Sequence, residues 1–202
     1  FSSDLEPGDR FLVASSEYAS NVIPLLQLAK RTGARVEFIP DGPDGTLDVE
    51  EFGHMLDENV RIVSITHAPS QNGLLNDVVG VGDMLRMHGS AAWFIVDACQ
   101  SVGQLPVDFG RIGCDVLSGT GRKFLRGPRG TGFLAVSQRM LDEVEPFPLD
   151  LDSAEWTTDL AYAVKPDARR FGSSCRPTGC ATVSAPSPES PYGIEAPSAR
   201  ES

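Results

Sequence analysis

From residue 10 to residue 136 short apolar runs alternate with segments of helical period, and this alternation limits the possible folds more than any other feature. Arg10-Phe11-Leu12-Val13-Ala14 reads as a strand after the turn signal Glu6-Pro7-Gly8-Asp9. Val22, Leu25, Leu26 and Ala29 then fall at i, i+3, i+4 and i+7, the stripe of an amphipathic helix. Pro24 is expected in its first turn, where the missing N–H costs nothing, and Gly33 closes it. Strands are expected at 34–40, 60–66, 92–96, 116–118 and 133–136, with helices around Phe52 and around Val81, Met84 and Leu85. Strands that are apolar throughout and alternate with helices predict an α/β fold, a mostly parallel sheet with helices on both faces. Ligands of such sheets bind beyond the carboxyl ends of the strands. That rule points to His67, Asp97 and the residues after Ser118.

Composition narrows the function classes. At 41% hydrophobic and 22% charged, the chain is globular in type, and no apolar run reaches the ~18–20 residues of a membrane span. A net charge of −11 opposes nucleic-acid binding in the absence of a local basic patch. Four cysteines in 202 residues are too few for a disulfide scaffold, and with no signal segment the expected location is cytoplasmic. Cys175 and Cys180 lack a second ligand pair, so no metal site is expected. His54 and His88 fall on expected helices and read as surface or packing residues.

Three regions are expected: 1–150, a partial ligand-binding large domain; 151–170, a connector; and 171–202, a low-complexity disordered tail. From 171 onward there is no leucine, and Ser, Pro, Ala and Gly fill more than half the positions. Such a segment buries too little apolar surface to offset its ordering entropy.

Two stretches carry candidate chemistry. Val96-Asp97-Ala98-Cys99-Gln100 places a carboxylate and an amide just past an apolar strand. Ser118-Gly119-Thr120-Gly121-Arg122-Lys123 is followed by the glycine-rich Gly127-Pro128-Arg129-Gly130-Thr131-Gly132. Alone, Lys123 reads as a solvated lysine and Asp97 as a cap of the turn after its strand. Together they match the needs of a cofactor with a phosphate, a ring nitrogen and an aldehyde. The loop lacks the ending of a P-loop, and no Gly-x-Gly-x-x-Gly follows the first strand.

On these two motifs the sequence, over about residues 4–145, resembles the class V aminotransferase family of pyridoxal-phosphate enzymes. That family's acidic–small–any–Gln pattern is met by Asp97-Ala98-Cys99-Gln100. Its Ser-Gly-His-Lys and Gly-Pro-x-Gly-x-Gly appear as Thr120-Gly121-Arg122-Lys123 and residues 127–132. The resemblance implies the large domain of a fold type I enzyme that binds pyridoxal 5′-phosphate and acts on an amino acid as a homodimer. It implies that Lys123 forms the Schiff base, that Asp97 pairs with the pyridinium nitrogen and that Gln100 sits near the ring hydroxyl. Thr120 and Arg122 would hold the phosphate, Arg122 replacing a histidine with a permanent cation. Tyr18 stands where the family has a stacking histidine, and Ser70 where desulfurases have Asn, beside His67 in the Thr66–Ser70 turn. The Tyr18 variant and the Gly121–Gly127 run look most like the carbon–sulfur lyases of ergothioneine synthesis. Carbon–sulfur lyase chemistry is therefore expected first, with aminotransferase, cysteine desulfurase and a non-catalytic remnant as alternatives. Family members extend before Phe1 and after residue 170, so the chain is expected to be a fragment, with residues past Phe171 either native or out of frame.

Overall fold

The computed structural model describes residues 5–172 and the backbone of 180–184. The chain runs β1 (Arg10–Ala14), α1 (Ala19–Thr32), β2 (Arg35–Ile39), α2 (Val49–Met55), β3 (Val60–Thr66), α3 (Val78–Met87) and β4 (Trp93–Asp97). It continues through α4 (Phe109–Ile112), β5 (Val116–Thr120), β6 (Gly132–Val136), α5 (Gln138–Glu143), β7 (Ala154–Thr158), β8 (Ala161–Val164), a 3-10 turn at Ala168–Phe171 and β9 (Cys180–Ser184). Seven strands form one sheet in the order β2-β1-β3-β4-β5-β6-β9. β1 to β5 are parallel, whereas β6 is antiparallel to β5 and parallel to β9. The parallel carboxyl ends therefore share one rim, which holds Thr66, Asp97 and Thr120.

The two sheet faces bury alternate residues of each strand. Leu12, Val63, Ile65, Phe94, Val96, Leu117 and Ala135 pack with Phe52 of α2, Val78, Val81 and Leu85 of α3, and Ile112 of α4. On the opposite face, Phe11, Val13 and Ile62 meet Leu25 and Ala29 of α1. Val116 and Val136 on that face meet Met140 and Leu141 of α5. Helix starts are fixed by carboxylates: Asp48 accepts from Glu50 N and Glu51 N, at 3.0 and 2.9 Å, and Asp77 accepts from Gly80 N. Glycine is required where α3 crosses α4. A Cβ on Gly82 would lie 1.9 Å from the Ile112 carbonyl oxygen. Gly82→Ala is expected to cost about 1–3 kcal/mol through overpacking, despite alanine's better helix propensity. Thermal unfolding followed by circular dichroism checks this, and an unchanged midpoint would refute it.

Three expectations need correction. Helix α1 begins at Ala19, so Pro24 is its sixth residue rather than part of the first turn; its ring removes the donor that would bond the Ser20 carbonyl. Residues 154–164 are a two-stranded antiparallel hairpin, β7–β8, not a plain connector. Within the segment expected to be disordered, residues 180–184 pair with β6; edge pairing uses backbone groups, which composition does not register. Phe171 ends the 3-10 turn, and residues 173–179, Cys175 among them, and 185–202 lie outside the described residues. The hairpin and the loop before it leave Phe147, Leu151, Trp156 and Leu160 largely exposed.

Candidate active site

The rim of the sheet gathers the candidate residues. In register, Thr66 of β3 faces Asp97 of β4, and Asp97 faces Ser118 of β5. Asp97 is held at both oxygens: Oδ1 accepts from Cys99 N at 2.8 Å, and Oδ2 accepts from Asn21 Nδ2 at 2.9 Å. The Cys99 thiol lies within the fields of the Asp97 carboxylate and the Lys123 ammonium. Burial, reinforced by the Asp97 charge, pushes this thiol up to about 11.

Lys123 lies on a tight loop after β5. Arg126 N donates to Lys123 O at 2.9 Å, Gly127 N to Gly121 O at 2.7 Å, and Gly121 N to Thr131 O at 2.8 Å. The loop rests on Gly103, which has a φ of +88° and where an added Cβ would lie 2.7 Å from the Phe124 carbonyl carbon. Thr120 and Arg122 line a cavity of about 510 Å³ with Ser118, Gly130, Thr131 and Gly132. A second cavity of about 450 Å³ is bounded by Ala68, Ser70, Gly73, Gln100, Gln104 and Phe124. There the Gln100 amide donates to Ser70 Oγ at 2.9 Å.

Two further candidates flank Asp97 and Asn21: His67 N donates to Asp97 O at 2.9 Å, and Tyr18 O accepts from Asn21 N at 2.8 Å. Tyr18, 54% exposed, precedes the first residue of α1 with its ring largely in solvent. His67 follows β3 and is buried, and its Nδ1 has no hydrogen-bond partner. Burial lowers the His67 pKa, and attraction from Asp77 only partly offsets this. Above the ordinary histidine value of about 6.5 both folded and unfolded chains carry a neutral ring, so it adds no pH dependence. As pH falls below that value the unfolded chain takes the proton first, and stability drops. His67→Gln is therefore expected to flatten the loss of stability just below pH 6.5. Urea midpoints measured across that range check it, and parallel curves for both chains would refute it.

Asn21, Glu17, Thr66 and Cys99 also belong to the site, Cys99 and Thr66 as members of stretches already noted and Asn21 as a residue of the first turn of α1, four positions after Glu17. Among the described residues no His/Cys/Asp/Glu group could hold a metal ion, and no helix is long and apolar enough to cross a membrane.

The donor set fits a ligand with one anionic end and one cationic ring nitrogen. Thr120 and Arg122 supply a hydroxyl and a cation beside a glycine-lined cavity, where a Cβ on Gly121 would strike Thr131 Oγ1. Asp97 supplies a fixed carboxylate at the neighbouring strand end.

Comparisons with known proteins agree with this architecture. The chain is 34% identical over 145 residues to a cysteine desulfurase of Escherichia fergusonii, covering 72% of this chain and 35% of the relative. It is 33% identical over 144 residues to a probable cysteine desulfurase of Halalkalibacterium halodurans, again covering 35% of the relative. The chain thus spans about a third of the length of the curated relatives it matches. The apo structure of a cysteine desulfurase from Thermococcus onnurineus NA1 superposes with a TM-score of 0.74 at 27% identity, covering 83% of this chain and 41% of that one. The cystine C–S lyase C-DES, in complex with cysteine persulfide, shares the fold with a TM-score of 0.75 at 24% identity, covering 84% of this chain and 46% of that one. The sequence pattern of class-V aminotransferases matches residues 1–157, and the chain belongs to that family.

Proposed function

We propose that this chain forms the cofactor-binding part of a pyridoxal-phosphate enzyme that breaks a carbon–sulfur bond of an amino acid. The observation that carries the reading is the placing of Asp97 and Thr120 at the carboxyl ends of two adjacent parallel strands, with Lys123 on the tight loop that follows the second. Membership of the class-V family supports it. Pyridoxal 5′-phosphate, when bound, supplies a ring that draws electrons from the substrate's α-carbon. Thr120 Oγ1 and the Arg122 guanidinium bind its phosphate, and Arg122 stays charged at any working pH. Asp97 would hold a proton at the ring nitrogen, and Lys123 Nζ would be the amine that holds the cofactor and carries the substrate's α-proton. Gln100, Ser70, Tyr18 and the buried His67 complete the surroundings of the ring in this reading.

Burial pushes the Cys114 thiol up to about 12 and, with the Asp97 charge, the Cys99 thiol to about 11, so neither of these two described cysteines forms a thiolate near neutral pH. Assembly as a homodimer and a cytoplasmic location belong to the same proposal; the exposed apolar side chains around β7–β8 support the former.

The test is direct. The chain titrated with pyridoxal 5′-phosphate and reduced with borohydride is expected to carry a pyridoxyl group on Lys123. Peptide mapping that places the label on Lys30 or Lys165, the only other lysines, would overturn the assignment.

A further inference from the structure

We propose that Asn21 is a positioning residue whose side-chain amide clamps Glu17 and Asp97 together and so sets the orientation of the Asp97 carboxylate. This rests on the functional reading above. Asn21 Nδ2 donates to Glu17 Oε1 and to Asp97 Oδ2, each at 2.9 Å. An amide nitrogen has two hydrogens, and here each serves one carboxylate. The flipped amide would turn its carbonyl oxygen toward both carboxylates, so charge alone dictates the orientation.

The anchor is itself anchored. Glu17 Oε1 also accepts from Tyr18 N at 3.0 Å and from the Thr66 hydroxyl. The clamp thereby ties the first turn of α1 to the ends of β3 and β4. Glu17 Oε2 is buried without a hydrogen-bond partner. Leaving such an oxygen unsatisfied costs free energy, so a need other than stability accounts for the carboxylate. Holding Asn21 is that need. With Cys99 N on Oδ1 and Asn21 on Oδ2, Asp97 keeps a free lone pair on each oxygen for one more donor. Remove Asn21, and Asp97 gains freedom to rotate while two carboxylates face each other with no donor between them.

Pyridoxal 5′-phosphate affinity, read by absorbance, separates this role from a structural one. Asn21→Ala is expected to bind the cofactor roughly tenfold more weakly, the loss of one charge-assisted hydrogen bond. Asn21→Asp keeps the volume and reverses the donor, so its loss is expected to be at least as large; wild-type affinity in Asn21→Asp would overturn the proposal. Both Asn21 variants binding like wild type, with Asp97→Asn impaired, would overturn the clamp and leave the functional reading standing. Wild-type affinity in Asp97→Asn, or no binding by the wild-type chain, would overturn both. A readout independent of cofactor and of variant folding at position 21 is the Asn21 side-chain amide in proton–nitrogen spectra. Its resonances in the cofactor-free chain are expected to move on Asp97→Asn, and unmoved resonances would overturn the clamp.

Discussion

Truncating Phe94 to alanine is expected to lower the unfolding free energy by about 3–5 kcal/mol, the range for emptying a large aromatic site. Phe94 is 1% exposed, on the middle strand of the seven, in the core cluster shared with α2, α3 and α4. Its backbone is doubly tied to β5: its N–H donates to Asp115 Oδ2 at 3.0 Å, and its carbonyl accepts from Asp115 N at 2.8 Å. These bonds hold the strand in place, so the cavity cannot close by backbone movement and the full cost is felt. Set against a total of about 5–15 kcal/mol for a domain, the loss is a large fraction. The urea midpoint is expected to fall sharply, with Phe94→Leu much milder because it keeps most of the volume. A shift under about 1 kcal/mol in the alanine variant would contradict the packing of this face.

Asp97→Asn is expected to weaken pyridoxal 5′-phosphate binding roughly tenfold to a hundredfold, the equivalent of a charge-assisted hydrogen bond of about 1.5–3 kcal/mol. Asparagine keeps the side-chain oxygen that accepts from Cys99 N. Folding is therefore expected to be nearly unaffected while affinity drops. Absorbance titration measures the second quantity and thermal unfolding the first. A variant that binds as tightly as wild type would contradict the ring-nitrogen role.

Strands β1 and β4 were legible because each carries an uninterrupted apolar run, Phe11–Ala14 and Trp93–Val96, the mark of burial on both faces. The direction of β6 was not, because hydrophobic period carries no sign of which way a strand points. The β7–β8 hairpin escaped for the opposite reason: Glu155, Trp156 and Tyr162 are all exposed, so no buried face imprints a period-2 pattern. Asp97, Thr120 and Lys123 were found by the strand-end rule together with their glycine-rich neighbours. Asn21 was invisible because its meaning lies in one contact 76 residues away. A polar residue in a first helical turn reads the same whether it faces water or a carboxylate.

The two halves of the site differ in how far along the chain their partners lie. The lysine loop is closed by Gly121–Thr131, Gly121–Gly127 and Lys123–Arg126, all near neighbours in sequence. The carboxylate at the opposite side has one oxygen on the nearby Cys99 N and the other held by residue 21, across 76 positions. Short loops close at small entropic cost and early, whereas distant pairings wait until the intervening chain is ordered. The loop is thus an autonomous local unit, while the orientation of Asp97 depends on the docking of α1. Fraying of that helix would free one oxygen of Asp97, with Cys99 N still on the other, and would leave the lysine loop and the sheet closed.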